Sequence, residues 1–129
     1  MLKSLFHITV VTIALSATAM TYANAADPAK VAESSKGKTL TDAKGMTLYT
    51  FDKDTSGKSA CNGPCATNWP PLMADAAAKA SGSYAVITRD DGAKQWAYNG
   101  KPLYTWAKDT KAGDVTGDGV NGTWHIAQP

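Results

Sequence analysis

Histidine and cysteine are scarce in this sequence, and each scarcity removes a class of chemistry. The 129 residues hold two histidines, His7 and His125, and two cysteines, Cys61 and Cys65. His7 lies in a hydrophobic leader, so His125 is the one imidazole left for general acid–base work. No serine in a nucleophile-elbow motif accompanies it, and a Ser-His-Asp arrangement has no support. No Gly-rich loop opens a helix to cradle phosphate, and no Cys-x2-Cys-His run exists to attach haem. A surplus of one charge is missing too, with 13 Lys+Arg against 11 Asp+Glu. The lysines from Lys30 to Lys58 alternate with Glu33, Asp42, Asp52 and Asp54, which reads as a solvated face. Nucleic acid or an anionic membrane recruited by bulk charge is therefore not expected. Neither enzymatic activity nor a cofactor is expected from this inventory.

What is present begins with an address. Lys3 gives a positive start, Ile8 to Met20 form an apolar stretch diluted by Thr9, Thr12, Ser16 and Thr18, and Ala23-Asn24-Ala25 places small residues where a signal peptidase reads. The pattern predicts a cleaved signal peptide over residues 1–25, cut before Ala26. A membrane anchor is the rival, but the apolar run falls well short of the roughly 20 residues that a spanning helix needs. No cysteine near the cut is available to take a lipid. The expected product is a soluble monomer in the periplasm or outside the cell, with no membrane span. Its partner, a small molecule or an envelope protein, is not specified.

Beyond the cut, residues 26–37 are polar, rich in Ala, Lys and Ser, and without apolar period, which predicts a flexible lead-in. Residues 38–129 then read as one all-β domain of short antiparallel strands and hairpins. Lys38–Asp42 and Met46–Asp52 flank the turn Asp42-Ala43-Lys44-Gly45. Tyr84–Arg89 and Ala93–Tyr98 flank Asp91-Gly92, and Ala93–Tyr98 and Pro102–Ala107 flank Asn99-Gly100. Both dipeptides predict type I′ hairpin turns, whose two central residues need positive φ. Thr123–Ala127 makes a further strand. The one helix expected is Met73–Lys79, about two turns of an Ala-rich run and marginal unless packed. Thr55–Ser81 and Thr110–Gly122 are long loops.

The domain repeats itself. A shift of 55 residues lays Gly45 on Gly100, Leu48 on Leu103, Tyr49 on Tyr104 and Thr50 on Thr105. The same shift lays Lys53 on Lys108, Asp54 on Asp109, Thr55 on Thr110 and Trp69 on Trp124, while Phe51 meets Trp106. Two copies are too few for a solenoid, so two pseudo-symmetric halves on one core, about 39–71 and 94–129, fit better. The Gly-x2-Leu-Tyr-Thr-Phe-Asp-Lys-Asp segment, Cys61-Asn62-Gly63-Pro64-Cys65, Asn68-Trp69-Pro70-Pro71 and the closing Trp124-His125 resemble the bacterial secreted-repeat family. Members are often predicted lipoproteins with tandem Tyr-x4-Asp motifs, and the function is unknown. This chain departs from many of them in lacking the lipid-accepting cysteine.

The repeated residues are the first candidates for a site. Tyr49, Asp54 and Trp69, with Tyr104, Asp109 and Trp124, predict either an aromatic-plus-carboxylate ligand cleft or core tyrosines with loop-fixing aspartates. Cys61 and Cys65 predict a structural disulfide in an oxidising compartment, worth roughly 2 kcal/mol on the chain-entropy model. Two alternatives stay open: thiol–disulfide exchange, or a soft copper site that His125, Met46 and Met73 would complete. Asp114-Val-Thr116-Gly-Asp118-Gly119 matches the opening of a calcium loop, but His125 stands where the bidentate acid belongs. The leading expectation is a non-catalytic binding or structural module, with periplasmic copper binding or thiol redox as the alternative.

Overall fold

The computed structural model describes residues 27–129; the signal peptide and cleavage site expected from the sequence fall outside the described residues. Seven short strands, β1 (Lys30–Ser34), β2 (Gly37–Thr41), β3 (Tyr49–Phe51), β4 (Tyr84–Thr88), β5 (Lys94–Tyr98), β6 (Lys101–Pro102) and β7 (Trp124–Ile126), carry the architecture. All pairings are antiparallel: β1 with β2, β3 with β7, and β4 with β5 with β6. The strand-dominated class and the two-half organisation read from the sequence both hold.

Turn chemistry sets the register of the hairpins. Asn99 and Gly100 both have positive φ, 49° and 80°, as the two-residue loop between β5 and β6 requires. Asp91-Gly92 differs from its expectation. Only Gly92 is left-handed. Asp91 instead accepts the N–H of Ala93 through Oδ1, and Arg89 N–H closes the longer loop on Ala93 O.

Two further expectations are corrected. Lys30–Ser34, read within the flexible lead-in, is β1, paired residue for residue with β2 from Lys30↔Thr41 to Ser34↔Gly37. It is an edge strand that leaves Val31 exposed, so it buries no alternating face that a periodicity could reveal. The helix is not at Met73–Lys79. There Met73 bridges Gln95 and Ala74 N–H bonds Lys94 O, so pairing with β5 wins over alanine propensity. Among the described residues the one α-helix is α1 (Pro64–Asn68), which begins on a proline already fixed for helical φ.

The halves interlock. Backbone bonds run Tyr49 N–H to Tyr104 O and Tyr104 N–H to Tyr49 O, so the two motif tyrosines face each other on the pseudo-two-fold axis. Around that axis the flanking backbone contacts recur with the copies exchanged. Tyr49 pairs with Ile126 and Tyr104 with Pro71. Ala127 N–H bonds Leu48 O, and Leu72 N–H bonds Leu103 O. The core lies in two clusters. One gathers Leu40, Leu48, Tyr84 and Leu103, with Trp96 and Tyr98 packed on it. The other gathers Tyr49, Cys61, Trp69, Tyr104, Trp124 and Ile126, with Phe51, Cys65 and Trp106 against it.

Candidate functional site

Alternation along each motif strand sends the tyrosine and the aromatic two residues later to the same side, into the second cluster. The aspartate three residues beyond then stands where the chain leaves the strand. The hydroxyls of the two Tyr-x4-Asp motifs cross between copies. Tyr49 donates to Asp109 Oδ2 at 2.5 Å, and Tyr104 donates to Asp54 Oδ2 at 2.6 Å.

Each carboxylate uses its other oxygen to hold its own long loop. Asp54 Oδ1 accepts Ala60 N–H at 2.7 Å, and Asp109 Oδ1 accepts the N–H and hydroxyl of Thr116. Both tyrosines are fully buried. Burial, and then the hydrogen bond to the aspartate, pushes each phenol well above its ordinary pKa. Burial also pushes the Asp54 carboxyl up, against the bonds from Tyr104 and Ala60 and the nearby Arg89 charge. The six repeated residues are thus brought together: the two tyrosines are sealed inside the joint, Asp54 reaches the wall of one cavity, and Trp69 and Trp124 line another of about 420 Å³.

Above that joint the aromatic rings form a continuous pile. Phe51 stacks on Trp124 (4.2 Å, 13°), Trp124 on Trp69 (3.8 Å, 3°), and Trp69 on Trp106 (3.9 Å, 24°). Tyr49 meets Trp69 edge-on and Tyr104 meets Trp124 edge-on, the geometry favoured by the ring quadrupoles. Gly117 makes the packing possible: a Cβ there would lie 2.8 Å from Trp69 and 2.9 Å from Tyr49. Trp69 and Trp124 are almost wholly buried, while Phe51 and Trp106 are half-buried at the two ends.

Several residues of this centre were not singled out in the sequence. Arg89, 5% exposed, donates to Ser59 Oγ and Gln95 Oε1 and to the carbonyl of Cys61. Ser59 Oγ lies 2.6 Å from the Tyr104 hydroxyl, whose own proton is given to Asp54, so Ser59 is the donor in that pair. Gln95 Nε2 donates to Leu103 O. A buried chain therefore runs from Arg89 through Ser59 and Tyr104 to Asp54, and it compensates the burial of a guanidinium. The available sequence signal was an arginine ending a strand that should be apolar on one face.

Cys61 and Cys65 are joined as a disulfide whose Cα atoms are 5.2 Å apart, with Cys61 buried in the aromatic cluster. In this form neither sulfur is a thiolate that could bind copper or attack a disulfide. His125 is not brought to them. Alternation in β7 turns it away from Trp124, and its Nε2 lies 2.8 Å from Asp52 Oδ2 on the exposed face. The calcium-loop residues also separate by role. Asp114 Oδ2 accepts the N–H groups of Thr110 and Lys111, which hold its carboxyl below the ordinary range. Asp118 Oδ1 accepts Ile126 N–H, and its Oδ2 lies 3.8 Å from Lys36 Nζ. Among the described residues no group of three His, Cys, Asp or Glu side chains converges as a metal site.

Open space lies beside the joint. One cavity of about 280 Å³ runs between residues 50–56 and the Asn99–Pro102 turn, with Phe51, Asp52 and Asp54 in its wall. A second, about 250 Å³, continues past Tyr98 to His125 and Gln128. Both are lined by Thr50, Asp52, Asn99 and Lys101, so they form one polar groove along the seam where the motif strand of the first half meets the turn of the second. Carboxylates, an ammonium and an imidazole face it together.

A family model described as a secreted repeat of unknown function matches the chain twice, over residues 30–73 and 85–128. Each matched copy starts before the limits of 39 and 94 drawn from the sequence and takes in a hairpin, β1–β2 or most of β4–β5, ahead of the motif strand. No curated protein and no solved structure matches the chain. No helix among the described residues is long and apolar enough to cross a membrane.

Proposed function

Because the chain belongs to the family of secreted repeats of unknown function, we propose that it acts outside the cytoplasm as a non-catalytic binding module whose ligand lies in the seam groove. The observation that carries this reading is the continuity of the two cavities across Thr50, Asp52, Asn99 and Lys101. A groove over a rigid joint is pre-organised, so a ligand there would bind without first ordering its walls. Its lining suits a polar ligand carrying both donors and acceptors: Asp52 accepts, Lys101 donates, and Asn99 and Gln128 do both. The buried motif residues then act behind the groove, by fixing the strand and the turn that form it.

The test is amide shift mapping by NMR with a panel of soluble saccharides and short peptides, repeated on Lys101→Ala and Asp52→Ala. A bound probe is expected to move the signals of residues 50–54, 99–101 and 125–128, and each substitution should weaken it. Shifts confined to other surfaces, or affinity indifferent to both substitutions, would remove the groove as the site.

A further inference from the structure

The ring pile takes no part in the groove beyond the edge of Phe51, yet its geometry has a consequence of its own. Trp124, Trp69 and Trp106 follow one another face to face at 3.8 and 3.9 Å. Faces that close share electronic overlap, and an indole gives up an electron far more readily than the benzene ring of Phe51. The three indoles therefore form one oxidisable segment, with half-buried Trp106 as its outer end. At the inner rings Tyr49 touches Trp69 and Tyr104 touches Trp124. A phenol loses an electron easily only if its proton leaves too, and each hydroxyl already points at a carboxylate, 2.5 Å and 2.6 Å away. Lys108 Nζ lies 5.7 Å from the Trp106 ring centre. Its positive charge disfavours a cation resting on that ring, which drives an electron vacancy inward.

We propose that the chain is a one-electron relay that draws strong one-electron oxidants at Trp106 and stores the oxidising equivalent at Tyr49 or Tyr104. In the step, the oxidant gains one electron from Trp106, and the vacancy passes through Trp69 and Trp124 to a tyrosine. That tyrosine gives up one electron and passes its hydroxyl proton along the existing bond to Asp109 or Asp54. The products are the reduced oxidant and a neutral tyrosyl radical beside a carboxylic acid, with no bond between heavy atoms made or broken. A one-electron reductant of the ascorbate class returns the electron, and the proton goes back to the phenol. The relay does not depend on what occupies the groove.

The experiment generates ruthenium(III) tris-bipyridine by flash quenching with a cobalt(III) acceptor in the presence of the exported chain. Radicals are followed by transient absorption and freeze-quench EPR. A tryptophanyl signal that decays into a tyrosyl signal is expected. Trp106→Phe places there the ring type that Phe51 supplies at the equivalent end, so the fold should persist while most of the tyrosyl yield is lost. The Tyr49→Phe/Tyr104→Phe pair should abolish the tyrosyl signal although Tyr84 and Tyr98 remain. Absence of a tyrosyl signal in the native chain would overturn the relay. So would a yield unchanged by Trp106→Phe, or a signal surviving in the doubly substituted chain. Where that double variant fails to fold, the Trp106→Phe yield decides alone.

Discussion

Tyr49 and Tyr104 tie together halves that are far apart in the chain, and the tie consists of single hydroxyl groups. Tyr104→Phe keeps the ring and removes one proton donor from Asp54, which is left half-buried with a bond missing. The expected loss is about 1–3 kcal/mol, read from urea unfolding. The same hydroxyls set an alkaline limit. Both phenols titrate above their ordinary value when folded, so the unfolded chain loses those protons first. The stability they contribute is complete below about pH 10 and falls as pH rises beyond it, by roughly 1.4 kcal/mol per pH unit for each tyrosine. Tyr49→Phe and Tyr104→Phe should each remove one tyrosine's share of that slope. A slope unchanged in both variants would mean that the phenols are not held in this way. The sequence made the tyrosines and aspartates visible as a repeated motif. It did not disclose that partners cross between copies, because spacing reports what is near in the chain and these bonds span 60 and 50 residues.

The elements show where local signals suffice and where they fail. Asn99-Gly100 was legible because a two-residue loop demands positive φ at both positions and few residue types allow it. The strand β1 was not, since an exposed edge strand has no buried face to give a period. The alanines after Met73 looked helical by propensity, but Ala74 bonds β5 and Met73 lies largely exposed, so no packed face exists to stabilise a short helix. Gly117 was hidden for another reason. It sits in a loop full of glycine and aspartate, where flexibility is the obvious explanation, yet its φ is ordinary and its role is to have no side chain. Gly117→Ala must push Trp69 or Tyr49 aside, and both are locked in the ring pile. An overpacking cost of about 1–3 kcal/mol is expected, together with a changed near-ultraviolet circular dichroism signal from the stacked indoles. An alanine variant with native stability and spectrum would show that the rings have room to yield.

At the scale of the whole molecule the repeat was the strongest message in the sequence, and its structural meaning is exchange. The motif strands pair across the halves: β3 of the first pairs with β7 of the second, while Tyr104 of the second pairs with Pro71 of the first. Leu48 and Leu103 stand in one core cluster, and Tyr49, Tyr104, Trp69 and Trp124 in the other, so each cluster draws on both halves. A half removed from its partner exposes an apolar face and leaves one motif hydroxyl and one motif carboxylate without their partners, costs that a segment of about 50 residues has little core to offset. The connection between halves is light by comparison. Gly82 lies in an exposed turn with nothing near its Cα that a side chain would meet. Cutting the chain after Gly82 should therefore yield fragments 27–82 and 83–129 that are unfolded apart and regain the stacked-indole dichroism when mixed, one to one. If either fragment alone shows a cooperative urea unfolding transition, the halves are independent domains and the crossed tyrosine bonds are incidental. Recovery only on mixing would make the duplicated joint, and not either copy, the unit that folds.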